Sequence, residues 1–259
     1  MKSFFRMSYP YCLWIGIFIV APMLMIFLYA ITNTGNSTLT FQFTLDNFAR
    51  FIRDPDFIRI LLTSLRIALL TTVVCLLIGY PAALFIANLP DRKQTFMILL
   101  MTLPMWINMV LKTYAWRGIL LNFDFSSEFK VFIGMVYDFL PFMIIQIHTA
   151  IAKLDGNLMI AASDLGASKW KTFLKVTLPL SVPGIISGIT LVFLPAVSSF
   201  VIPKLLGGGD YVLIGNLIEM CFKQTGDWNF GSAISLIMAL IIIASMWATK
   251  KLDRNGEEE

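Results

Sequence analysis

Apolar residues in this chain gather into six long runs separated by polar stretches, and those runs set the expected architecture. They cover residues 11–31, 61–87, 95–121, 131–151, 182–203 and 230–249. Each is about 20 residues or longer, the length a helix needs to cross a hydrocarbon core of roughly 30 Å. Lipid offers no water to backbone polar groups, so an isolated spanning segment must be helical. The pattern therefore predicts an all-α membrane protein with six transmembrane helices in a single domain over 1–259. The first run follows Lys2 and Arg6, as in a signal peptide, but it is long enough to span and no small-x-small cleavage site follows, so it reads as an uncleaved helix. Asn88-Leu89-Pro90 closes the second run. Pro104, Asn108 and Lys112 make the third less purely apolar, and Asp138 and Pro141 interrupt the fourth.

Composition agrees with this pattern. Hydrophobic residues make up 58% of the chain and charged residues 14%, against roughly 25% charged in ordinary globular proteins. A mean hydropathy of +0.78 is far beyond what a soluble chain of this size can bury. The net charge of +4 invites a nucleic-acid reading. The basic residues instead lie between apolar runs, so the expected partner is a lipid membrane and not nucleic acid. With the N-terminus inside, both termini are cytoplasmic, and 11 of the 20 Lys/Arg fall on the inner side (2, 6, 92, 93, 153, 169, 171, 175, 250, 251 and 254). The tail is basic at Lys250, Lys251 and Arg254 before it turns acidic at Glu257 to Glu259. Cys12, Cys75 and Cys221 have neither metal-ligand spacing nor a disulfide framework, so no metal is expected.

The longest inner loop carries the most information. Residues 155–179 read Asp155-Gly156-Asn157, then Ile160-Ala161-Ala162-Ser163-Asp164-Leu165-Gly166-Ala167-Ser168, then Lys169-Trp170-Lys171-Thr172-Phe173-Leu174-Lys175-Val176-Thr177-Leu178-Pro179. Gly166 suits a helix C-terminus and Ser168 suits the N-cap of a second helix, so two short helices at an angle are predicted, the second ending at Pro179. Trp170, Phe173, Leu174 and Leu178 fall at helical spacing on one face, with Lys169, Lys171 and Lys175 elsewhere. Such a loop either docks on a partner or lies at the headgroups with its lysines toward anionic lipid.

Ala161, Ala162, Gly166, Ala167, Phe173, Leu178 and Pro179 resemble, at matching spacing, the EAA loop of binding-protein-dependent ABC importer permeases. The resemblance implies a type I ABC importer permease fold. It also implies that Ala161, Ala162, Asp164, Leu165, Gly166, Ala167, Ser168 and Trp170 form a cytoplasmic coupling loop seated on an ATPase. Ile160 departs from the pattern, standing where the family usually has glutamate. Thr102-Leu103-Pro104-Met105-Trp106-Ile107-Asn108, Lys112 to Trp116, Gly134 to Tyr137, Leu140 to Met143 and Phe200 to Gly208 are similar to spermidine/putrescine permeases of the PotB type. Sulfate, iron and thiamine permeases share parts of these stretches. The implied partners are a different permease chain of the PotC type, an ATPase dimer of the PotA type and an extracytoplasmic binding protein of the PotD type. The implied substrate is a polyamine carried by alternating access. No cofactor is expected on this chain. It lacks a Gly-x-x-x-x-Gly-Lys-Ser/Thr loop, so ATP and Mg belong to the partner ATPase.

A polar group inside a span is costly and therefore a functional candidate. Asp138 is the foremost, since a carboxylate beside Tyr137 suits an ammonium group, and its alternative role is a structural partner for Lys112 or Arg117. Asn108, Ser198, Ser199 and Tyr137 are path-lining candidates that equally suit interhelical packing. Trp106, with Tyr114 and Trp116, belongs to a cation cage or to an interfacial aromatic belt. His148, the chain's single histidine, reads as packed and hydrogen-bonded. After Gly207-Gly208-Gly209, Leu213, Ile214, Leu217, Ile218 and Phe222 share a face. They predict a helix lying at or slightly re-entering the outer surface, with Asn216, Glu219 and Lys223 off that face. Glu219 and Asp227 are the candidate binding-protein contacts. An intramembrane enzyme needs a catalytic set that is missing here. A stand-alone channel or carrier has no use for a docked cytoplasmic loop.

Overall fold

The computed structural model describes residues 11, 13–33 and 42–257, with side chains through Lys251. Lys2, Arg6, Cys12, Glu258 and Glu259, on which the sequence placed expectations, lie outside the described residues. Among those described, helices are the only extended regular elements, and a single isolated bridge joins Thr32 to Phe43.

Four helices are long and apolar enough to cross a membrane unbroken. They are α1 (Leu13–Ala30), α3 (Pro55–Ala87), α6 (Ser127–Ala152) and α12 (Trp228–Glu257). A short helix, α2 (Asp46–Arg53), precedes α3. Two further candidates are bent pairs: α4 (Asp91–Trp106) with α5 (Met109–Leu120) at 91°, and α8 (Lys169–Leu180) with α9 (Val182–Ser198) at 61°. Counting each pair as one span gives six.

The pairs are where the apolar runs misled. The expected third span, 95–121, breaks at Ile107 and Asn108, because Pro104 weakens the last turn of α4 and the Asn108 side chain caps α5, accepting from Val110 N at 2.8 Å. The expected fifth span, 182–203, ends at Ser198, and a separate helix α10 (Val201–Leu206) follows an extended Ser199. On the other side, Pro179 does not end the preceding helix. The break falls at Ser181, since Pro183 has no N–H to return to the carbonyl four residues back.

The chain forms two compact units whose boundaries fall within α3, within α12 and in the helix α11 (Ile214–Met220). In the unit formed by residues up to Ile60 and Leu217–Ile241, two buried amides tie three elements together. Asn47 donates to Ala30 O and Thr32 O at 3.0 and 2.9 Å, and Asn229 donates to Tyr29 O and Thr32 O at 3.0 and 2.9 Å. Arg50 lies over the Phe230 ring at 4.1 Å, and Phe57 meets Phe230 at 5.0 Å. In the unit formed by Leu61–Asn216 and Ile242–Glu259, α6 is the central helix. Along it run α9, α10, α4 and α5, and α10 also packs on α5. Glycines set the closest approach: a Cβ on Gly188 of α9 would sit 2.6 Å from the Met143 sulfur of α6.

Candidate coupling loop and translocation path

The loop between α6 and α9 is built from two opposed helix ends. Helix α7 (Gly156–Asp164) starts at Asp155, whose carboxylate accepts from Asn157 N at 2.9 Å. It stops because Gly166 takes a left-handed φ of 77°. Gly166 N then donates to Ser163 O at 2.9 Å and Ala167 N to Ala162 O at 3.0 Å, which satisfies the last carbonyls of the helix. Ser168 caps α8, its hydroxyl accepting from Lys171 N at 3.3 Å. No atom lies within 4 Å of where a Cβ would stand on Gly166, so backbone conformation and not space demands glycine here.

The loop presents large apolar side chains outward. Leu165 is 89% exposed, Trp170 68% and Ile160 61%, while Ala161 and Asp164 are also exposed and Ala162 and Ala167 are half-buried. A cluster of this kind, rimmed by Lys169 and Lys171, has the composition of a surface that is covered in a complex. Behind it lies a cavity of about 880 Å³ lined by Asn88, Asp91, Gln94, Ser163, Thr172 and Thr177 among others. Gln94 donates to His148 Nε2 at 2.8 Å, so the buried imidazole is satisfied by a neighbouring helix.

Most residues expected on the path have structural partners. Asp138 is ion-paired with Lys112, and their side chains are 13% and 10% exposed, so the carboxylate takes the structural partner that was its alternative role. The Tyr137 ring meets Trp116 edge-on at 5.1 Å. Asn108 spends its carbonyl on the α5 cap. Trp106, at the bend, is 87% exposed. Ser198 donates within its own helix to Leu194 O at 3.1 Å. Ser199 is buried at the α9–α10 break, and no hydrogen-bond partner reaches its hydroxyl.

That break is clamped by Gly215, which the sequence did not single out, and by Asn216, which it placed only off an apolar face. A Cβ on Gly215 would meet Ser198 O at 2.6 Å and Ser199 O at 2.7 Å, and Asn216 donates to Phe200 O at 2.7 Å. In the segment expected to form a helix at or slightly re-entering the outer surface, Leu213 and Ile214 are fully buried against the chain, and Asn216, placed off the apolar face, is buried too. A glycine beside an asparagine within an apolar stretch was the available signal.

Glu219 and Asp227, expected to meet a partner protein, are engaged within the chain. Glu219 pairs with Lys223 at 3.3 Å one turn away. Asp227 pairs with Arg50 at 2.8 Å and caps α12 by accepting from Phe230 N at 3.1 Å, a position that an acidic residue favours electrostatically. An open cavity of about 730 Å³ at Asp227 is lined also by Asp46, Arg50, Arg53 and Asp54. Burial pushes the nearby Cys221 thiol up, and Asp227 adds to that shift against Arg50. Elsewhere, burial with the Glu128 carboxylate pushes the Tyr211 phenol up to about 12. Among the described residues no group of His, Cys, Asp and Glu has metal-binding geometry.

Residues 79–255 match the family described as binding-protein-dependent transport system inner membrane component. The chain is 37% identical to the spermidine/putrescine transport system permease protein PotB of Escherichia coli (strain K12), over 95% of this chain and 98% of that one. It is 35% identical to the PotB of Haemophilus influenzae, over 95% and 94%. Among solved structures, a bacterial ABC transporter that imports alginate superposes with a TM-score of 0.76 at 16% identity, covering 98% of this chain and 96% of that one. A chain of the inward-facing MetNI methionine ABC transporter superposes with a TM-score of 0.62 at 12% identity, covering 77% and 95%.

Proposed function

This chain belongs to the binding-protein-dependent transport system inner membrane components, a family of multi-pass, non-catalytic permease subunits of ABC importers, and from that premise we propose that it forms half of the translocation path for a polyamine. The observation that carries the substrate class is its 37% identity to a spermidine/putrescine permease across nearly the whole of both chains. In this proposal the termini and the loop over 155–179 face the cytoplasm. The exposed Leu165, Trp170 and Ile160 seat on an ATPase subunit, and a second permease chain closes the path. An extracytoplasmic binding protein delivers the polycation. ATP-driven closure of the ATPase pair draws the coupling loops together and rocks the spans between inward- and outward-open states. ATP and Mg are used by the partner subunit.

Gly166 supports the coupling role, because its left-handed backbone sets the angle between α7 and α8. An L-residue there costs about 1 kcal/mol or more and disturbs that angle. Uptake of radiolabelled spermidine and putrescine is the test, in cells lacking polyamine uptake that co-express the chain with its neighbouring genes. The expected result is energy-dependent uptake that is lost in Gly166→Asp. Uptake of neither amine, together with ATPase activity stimulated by some other small solute such as sulfate, iron or thiamine, would remove the polyamine assignment and leave the importer.

A further inference from the structure

A continuous set of contacts runs from the exposed tip of the loop to the buried hinge at the foot of α9. Trp170 stacks on Phe173 with centroids 5.3 Å apart, and Phe173 meets the Tyr80 ring of α3 edge-on at 5.7 Å. The Tyr80 hydroxyl lies 2.8 Å from the Ser181 hydroxyl. Ser181 already spends its proton on Leu178 O at 2.9 Å, so Tyr80 is the donor. Ser181 is fully buried and Tyr80 nearly so, and Ser181 is the residue at which α8 and α9 diverge by 61°.

Resting on the coupling-loop proposal above, we infer that Tyr80 is a positioning residue for energy coupling. It holds α8 at two points, through Phe173 in its first half and through Ser181 just past its end at the hinge. Displacement of the loop is thereby passed to α9 as tilt of a rigid strut and is not absorbed at the bend. Tyr80 is suited to this task. Its ring and its hydroxyl act on two different parts of the same helix, and Pro81 beside it frees α3 from one backbone hydrogen bond. Without the hydroxyl, the hinge keeps its fold but loses the bond that ties its angle to α3.

The test uses the complete complex in liposomes and reads spermidine taken up per ATP hydrolysed. The wild type is compared with Tyr80→Phe, Ser181→Ala, the double variant and Gly166→Asp. Each single variant should lower that ratio about five-fold, the fold-change an ordinary hydrogen bond is worth, while Tyr80→Phe keeps its ring on Phe173. The double variant should lose no more than Ser181→Ala alone, because that variant already removes the bond to Tyr80 along with its own bond to Leu178 O. A wild-type ratio in either single, or losses that multiply in the double, would overturn the inference. If Tyr80→Phe fails to assemble, a wild-type ratio in Ser181→Ala overturns the inference on its own, because that variant also lacks the bond to Tyr80. Loss of uptake in Gly166→Asp with Tyr80→Phe unaffected would sink this inference and spare the coupling loop. Normal uptake in Gly166→Asp would bring both down together.

Discussion

At the scale of single residues, charge and backbone conformation divide what was legible from what was not. Gly166 and Ser168 could be read directly, because a left-handed C-terminus and an N-cap are local requirements met by residue type alone. Asp138 could be flagged but not assigned, because its partner Lys112 sits in another helix and only the packing brings them together. The pair makes a sharp prediction. Asp138→Asn leaves a largely buried ammonium uncompensated and should cost on the order of 3–5 kcal/mol, seen as a lower Tm of the detergent-purified protein. Lys112→Met combined with Asp138→Leu removes both charges and should recover most of that loss. If Asp138 also lines the path, the repaired double variant will still show a raised KM for spermidine uptake. An unchanged KM assigns the pair to structure.

At the scale of elements, the apolar runs marked where helices lie but not where they break. Hydropathy is indifferent to a missing N–H, so Pro104 left no mark on it while bending its segment by 91°. The 61° break before Pro183 instead falls where the expected loop helix gives way to the expected fifth span. Both breaks need a fresh start for the helix that follows, and at the first the Asn108 side chain supplies it. Asn108→Ala should therefore destabilise α5 by about 1 kcal/mol. Thermal unfolding of the purified protein checks this, and an unchanged Tm would mean that water or backbone satisfies Val110 N instead. Tyr80, Ser181 and Gly215 escaped notice, and Asn216 was not given its role, for a related reason. Their roles lie in contacts between elements far apart in sequence, and no spacing rule reaches across them.

At the scale of the whole molecule, the expected count of six holds when each bent pair is taken as one span, beside four unbroken candidates. It could be read from the chain because each span must satisfy its own backbone in lipid. What counting missed is that α3 runs 33 residues, from Pro55 and not from Leu61. That makes it about 50 Å long, well beyond a hydrocarbon core of roughly 30 Å. Its Arg66 is ion-paired with Glu128 at the start of α6, and two partly exposed charges of this kind belong at the water boundary. Residues 67–87 beyond the pair make roughly 32 Å of helix, a match to an ordinary bilayer. An ion pair at that depth is expected to act as a depth gauge, setting how far the protein sinks into its membrane. Transport in vesicles of graded acyl-chain length should peak near that thickness and decline on both sides. Replacing Arg66 and Glu128 with leucines should move the optimum toward thicker bilayers, so the lipid environment acts as a mechanical setting of the transporter.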